Sequence, residues 1–196
     1  MLVILDNGHG NQTSGKRSPK WTDGSQLFEY VFTRNVVEAI AAQLSLIGID
    51  SHILVPERFD LSLKKRVIRA NKIIARVKYC ILLSIHGNGH GNENAKGFEV
   101  WTYPKCSDKS KELAQLIYNK ADQYNIFKMR PDYRDGNPDK SARFKINSVN
   151  CPSILTESGF YTNEEECKYM MSITGQNEIA AIHTEAIKEY LKKIKK

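Results

Sequence analysis

Residues 79–85 read Tyr-Cys-Ile-Leu-Leu-Ser-Ile, with no charge and one small hydroxyl, and the chain then meets His86 and Gly87. An apolar run of strand length, closed by a polar residue and glycine, reads as a strand buried on both faces, as at the centre of a largely parallel sheet. Such a strand needs helices above and below it, and the flanking sequence supplies strand and helix patterns in alternation. Residues 2–5 form a short apolar strand, and a polar loop follows to about residue 25. Val36, Val37, Ile40, Leu44 and Ile47 recur at helical spacing over residues 27–47, where Gly48 stops the helix. Residues 49–55 read as a strand. Asp60 is placed to cap a helix running to about residue 77, with Leu63, Val67, Ala70 and Ile74 as its apolar stripe.

Beyond the central strand, a Gly/Asn loop over residues 87–94 leads to a strand at 97–103. Ser107 or Asp108 caps a helix to about residue 124, and residues 125–142 are a long polar loop. Residues 153–156 form a last strand ending at Glu157. Thr162 and Glu165 suit a capping box for a short helix. Ile179, Ile182, Ile187, Leu191 and Ile194 line a final helix that starts near Gly175. The expectation is an α/β fold: one three-layer domain over residues 1–196, with a twisted, mostly parallel sheet of five or six strands and helices on both faces.

At 196 residues such a domain buries roughly 70% of the surface of its unfolded chain, enough for a core without disulfide or metal staples. No apolar stretch approaches the ~20 residues of a membrane span, and residues 1–5 lack the basic segment that opens a signal peptide. Cys80, Cys106, Cys151 and Cys167 show no paired spacing, and Cys80 falls in the apolar run. The net charge of +7 favours anionic partners. Much of it lies in Lys64, Lys65, Arg66, Arg69, Lys72, Arg76 and Lys78, and in a tail of Lys188, Lys192, Lys193, Lys195 and Lys196. A solvated helix face and a soluble tail account for both. No RNA-binding or zinc-finger spacing accompanies the charge, so no nucleic acid partner is expected.

Three polar residues stand where a bland core would not put them. His9 follows the first strand in Asp6-Asn7-Gly8-His9-Gly10, His86 ends the central strand, and Glu157 ends the last in Leu155-Thr156-Glu157-Ser158-Gly159. Ligands of open α/β sheets bind at the carboxyl ends of the strands, so the three point to one cleft. Two imidazoles and a carboxylate form a catalytic zinc set, with water in the fourth place. Glu29, between Phe28 and Tyr30, is the best third ligand, because a free carboxylate there is costly. An exposed first-turn glutamate favoured by the helix dipole is the alternative.

These residues stand in motifs whose order resembles the zinc-dependent N-acetylmuramoyl-L-alanine amidases of the endolysin and autolysin type. Asp6-Asn7-Gly8-His9-Gly10 is similar to their Asp-Pro-Gly-His-Gly, and Glu29 precedes Arg34-Asn35. Leu63, Arg66, Ala70 and Asn71 match Leu-x-x-Arg-x-x-x-Ala-Asn. Ser84-Ile85-His86-Gly87-Asn88-Gly89 and Gly97-Phe98-Glu99-Val100 follow, then Pro152 to Leu155, Glu157, Gly159-Phe160 and Asn163. The resemblance implies one zinc per chain on His9, Glu29 and His86, with Glu157 as the catalytic carboxylate. It implies hydrolysis of the amide between N-acetylmuramic acid and L-alanine in peptidoglycan.

Several positions depart from the family pattern. Asn7 replaces proline, Asn11 a second glycine, and Gly87 and Gly89 replace alanines. An arginine usual before the last strand falls on Asn147, so Arg143 or Lys145 would have to substitute for it. His90 is an extra histidine beside His86. The competing function is a catalytically silent basic module for wall polymer or nucleic acid. A zinc amidase of this pattern is expected to take peptidoglycan or muropeptides and to act as a monomer, without membrane insertion or a separate wall-binding domain. With no signal peptide or transmembrane segment in view, it would be made in the cytoplasm and reach the wall after release or export.

Overall fold

The computed structural model describes residues 1–194, so Lys195 and Lys196 of the tail lie outside the described residues. Six strands, β1 (Leu2–Asn7), β2 (Ser51–Ile53), β3 (Cys80–Asn88), β4 (Phe98–Thr102), β5 (Lys140–Ser141) and β6 (Ser153–Phe160), form one sheet in the order β2-β1-β3-β6-β4-β5. All neighbouring pairs are parallel except β4 and β6. The helices are α1 (Glu29–Leu46), α2 (Leu63–Ile74), α3 (Asp108–Tyr124), α4 (Glu164–Met171) and α5 (Ile173–Ile194).

The central strand is covered on both sides, as its composition requires. Ile81, Leu83 and Ile85 face a core shared with Val36 and Ile40 of α1, Leu113 and Ile117 of α3 and Ile182 of α5. Leu82 faces a smaller core with Ile4, Leu54, Ala70 of α2 and Ile146. Period-two alternation thus divides one strand between two layers of helix. The expected three-layer α/β fold is the observed one.

Local details differ where distant partners compete for a side chain. α2 is capped by Ser62, which accepts from the Lys65 amide, and not by Asp60. Asp60 instead accepts from Thr13 Oγ1 (2.8 Å) and Arg66 Nη2 (3.1 Å). The buried residues of α2 are Arg66 and Ala70, while Leu63 of the expected apolar stripe is exposed. Arg66 therefore leaves the solvated basic face, and Arg69 pairs with Glu57 at 2.7 Å. Asn163, not Thr162, caps α4, because the Thr162 hydroxyl accepts from the His90 amide. Both strands that carry site residues run further than their apolar runs: β3 continues past His86 and β6 past Glu157.

Candidate active site

His9 follows β1 in a left-handed conformation (φ 60°), which a non-glycine residue adopts only when its surroundings hold it. Two arginines do so: Arg34 Nη1 and Arg66 Nη2 donate to the His9 carbonyl at 3.2 and 3.1 Å. Arg66 is 2% exposed and spends its whole fork here. Its Nε donates to the Leu61 carbonyl (2.8 Å), and its Nη1 to Asp6 Oδ1 (2.7 Å) and the Asn7 carbonyl (2.6 Å). Asp6 also accepts from Ser84 Oγ on β3 at 2.6 Å. The motifs around Asp6 and Arg66 are therefore one buried ion pair that ties α2 to the His9 turn.

Glu29 opens α1 and is 1% exposed, so it is not a solvated first-turn glutamate. Its Oε1 lies 3.0 Å from His86 Nδ1 and 3.4 Å from His9 Nε2, and accepts from the Gly87 amide at 3.3 Å. The two imidazoles meet edge to face with centroids 5.0 Å apart. One potential ligand atom from each of His9, Glu29 and His86 lies within 4.8 Å of the others. Gly8 makes room for this packing, since a Cβ there would stand 2.3 Å from His86 Cε1.

The cluster fits a metal on two grounds. Its donor set, two imidazole nitrogens and one carboxylate, is that of catalytic zinc sites. Among the described residues Glu29 Oε2 is buried without a hydrogen-bond partner, and a buried carboxylate oxygen left so is costly. Lys16 Nζ stands 3.9 Å from it. Burial by itself would raise the Glu29 carboxyl, but hydrogen bonds and charge from His86 and His9 outweigh burial and hold it down at about 2. Burial likewise pulls His86 down, and Glu29 more than reverses this, lifting it above the usual imidazole range. Three such groups attract either protons or a cation.

Glu157 sits opposite His86 in the β3–β6 register and opposite Glu99 in the β6–β4 register, so the three residues form one row across the sheet. Burial, against the pull of His86, pushes the Glu157 carboxyl up to about 8, and its Oε2 is a buried atom without a hydrogen-bond partner among the described residues. Beside the imidazoles a cleft of about 240 Å³ is lined by His9, His86, Thr13, Asp60 and Leu63. His90 stands apart, exposed, its Nδ1 accepting from the Asn92 amide at 3.0 Å.

The two glycines that replace alanines answer to particular neighbours. A Cβ at Gly89 would lie 2.6 Å from the Tyr161 hydroxyl oxygen, and one at Gly87 2.6 Å from Met170 Cε. Asn147 is buried beside the start of β6, its side chain donating to the Trp101 carbonyl at 3.2 Å and its own carbonyl accepting from Ser153 Oγ. Glu157 is four residues further along the strand, and Arg143 and Lys145 are exposed on the turn before Asn147. The cations that do join the row are Arg130 and Lys140, each 2.7 Å from Glu99 Oε1. Sequence patterns missed both, because residues 125–142 carry no periodic signal; the stretch reads as a loop, yet Lys140 opens the short strand β5.

Comparisons with known proteins agree with this architecture. A family model described as N-acetylmuramoyl-L-alanine amidase (Amidase_3) matches residues 3–189. The chain is 26% identical over 192 residues to the N-acetylmuramoyl-L-alanine amidase LytC of Bacillus subtilis, covering 96% of this chain and 35% of that protein. The fold superposes on an N-acetylmuramoyl-L-alanine amidase from Clostridium difficile with a TM-score of 0.79, 27% identity and coverage of 97% and 96%. AmiC2 of Nostoc punctiforme gives 0.76, 28%, and coverage of 98% and 97%.

Proposed function

The chain belongs to the N-acetylmuramoyl-L-alanine amidase family, and from that membership we propose that it is a zinc hydrolase cleaving the amide between N-acetylmuramic acid and L-alanine in bacterial peptidoglycan. The observation that carries the metal assignment is the convergence of His9, Glu29 and His86 on one point, with a buried Glu29 oxygen left over. These three residues would hold one zinc per chain, and Glu157 would be the proton-transferring carboxylate.

A zinc ion held there supplies Lewis acidity, polarising a carbonyl and acidifying water. The protein's own part is positional and protonic. Arg34 and Arg66 fix the His9 backbone, so the imidazole needs no reorganisation to face Glu29 and His86. The row across β3 and β6 keeps Glu157 beside His86 but outside the three-residue cluster. A buried carboxyl beside the cluster, with no hydrogen-bond partner on its Oε2 among the described residues, would be free to take a proton from the attacking water and later deliver it to the leaving amine. The chain would act as one catalytic unit and as a monomer, on the wall side of the membrane. Among the described residues no helix is long and apolar enough to cross a bilayer.

The test is digestion of purified peptidoglycan followed by mass analysis. Release of free L-alanine amino termini without new reducing sugars is the expected result. New reducing ends alone would mean glycosidase chemistry and would overturn the assignment.

A further inference from the structure

Glu99 is 4% exposed, and its carboxylate accepts from four groups: Arg130 Nε (2.7 Å), Lys140 Nζ (2.7 Å), Asn88 Nδ2 (3.1 Å) and Trp101 Nε1 (3.1 Å). One negative charge is thus bracketed by two positive ones. Lys140, Asn88 and Trp101 already suffice to satisfy it. The surplus charge sits on Arg130, whose side chain is 40% exposed while that of Lys140 is only 18%.

Arg130 is also held rigidly. Its amide donates to the Phe98 carbonyl at 3.0 Å, which pins its backbone to the leading end of β4. Its Nη1 donates to the Lys96 carbonyl at 3.3 Å, and the guanidinium lies over the Phe160 ring at 5.1 Å. Gly97 allows that approach, since a Cβ there would stand 2.8 Å from Arg130 Cγ. The nearby Asp132 carboxylate is taken up by Arg134. A guanidinium fixed at one edge and open at the other suits a carboxylate, which it can meet with two parallel hydrogen bonds at little entropic cost. Its anchor, Glu99, stands directly opposite Glu157 in the strand register.

Building on the amidase assignment, we propose that Arg130, held by Glu99, is a specificity-determining residue that binds a carboxylate of the stem peptide: the free carboxyl of the acidic residue following L-alanine. Glu99 is the positioning residue behind it. The chain would then prefer acidic stems over stems whose carboxyl is amidated.

The experiment compares two soluble muramoyl peptides, identical except that this carboxyl is free in one and amidated in the other. They are hydrolysed by the zinc-loaded native chain, Arg130→Gln and Arg130→Lys. The native chain should favour the acid, mainly through KM. In Arg130→Gln the acid-to-amide ratio of kcat/KM should fall about 10- to 100-fold, the usual worth of a charge-assisted pair. Arg130→Lys, keeping the charge without the fork, should fall in between. A purely structural role would depress both substrates alike and leave the ratio unmoved, which would overturn the proposal. Should the variants not fold, the native chain still decides. The amidated peptide must be the weaker competitive inhibitor, and equal inhibition refutes the proposal. A native chain that cleaves neither substrate instead brings down the amidase assignment, and this inference with it.

Discussion

Arg66→Met removes the guanidinium and keeps most of the side-chain volume. In the native protein that group donates to three carbonyls and two carboxylates while 2% exposed. After the substitution the Asp6 carboxylate is still 1% exposed, with Ser84 Oγ at 2.6 Å as its remaining donor. The carbonyls of Asn7, His9 and Leu61 each lose a donor. Removing one partner of a buried ion pair costs about 3–5 kcal/mol, because the other charge stays desolvated. For a chain of this size that is a fall in Tm of roughly 6–20 °C. The assay is thermal and urea unfolding of the metal-free protein, with zinc affinity measured separately. Zinc affinity should weaken too, since only Arg34 then holds the His9 carbonyl. Adding Asp6→Asn should restore part of the lost stability, because it removes the stranded charge. A single variant within about 1 kcal/mol of the native chain, a difference more typical of exposed pairs, would refute the reasoning.

Glu157→Gln should keep about one zinc per chain and lose on the order of 10²–10⁴ in turnover, whereas His9→Ala with His86→Ala should lose the metal; zinc analysis beside rate measurement checks both. Loss of zinc in Glu157→Gln would make Glu157 a ligand. His183 is fully buried, with Nδ1 donating to the Ile179 carbonyl (2.7 Å) and Nε2 accepting from Thr156 Oγ1 (3.0 Å). Burial lowers its pKa from 6.5 to about 4, so between these values the unfolded chain binds the proton first and stability falls as pH falls. The loss should approach about 3 kcal/mol by pH 4 and be absent above pH 7. Urea titrations of the native chain and His183→Gln measure it by difference, and parallel pH curves would exclude it. Gly89→Ala should destabilise by about 1–3 kcal/mol through collision with the Tyr161 ring. Tyr161→Leu should relieve the added strain, and a double variant no better than the sum of its parts would show that the two positions are independent.

The sequence alone determined the architecture and singled out His9, His86 and Glu157, because both rest on patterns visible along the chain. A run apolar on both faces must be covered on both faces, and β3 is, with Leu83 and Leu82 in separate cores. His9, His86 and Glu157 could be singled out because polar groups at strand mouths contradict burial unless they serve a site. Glu29 stayed divided between ligand and exposed first-turn residue, since local sequence cannot tell whether a helix start is covered. Only the packed tertiary structure buried it against two imidazoles. The same limit explains Asp60 and Thr162, good local caps whose oxygens are claimed by Thr13, Arg66 and His90 from far along the chain. It also explains Arg66, which looks like one cation of a basic helix yet is 2% exposed beside the site. Arg130 and Lys140 gave no signal, because a charge in a stretch without hydrophobic periodicity acquires meaning only from the carboxylate that folding places next to it. Hydrophobic periodicity is a property of near neighbours in sequence. The pairing of buried charges is a property of neighbours in space, so the second had to wait for the fold.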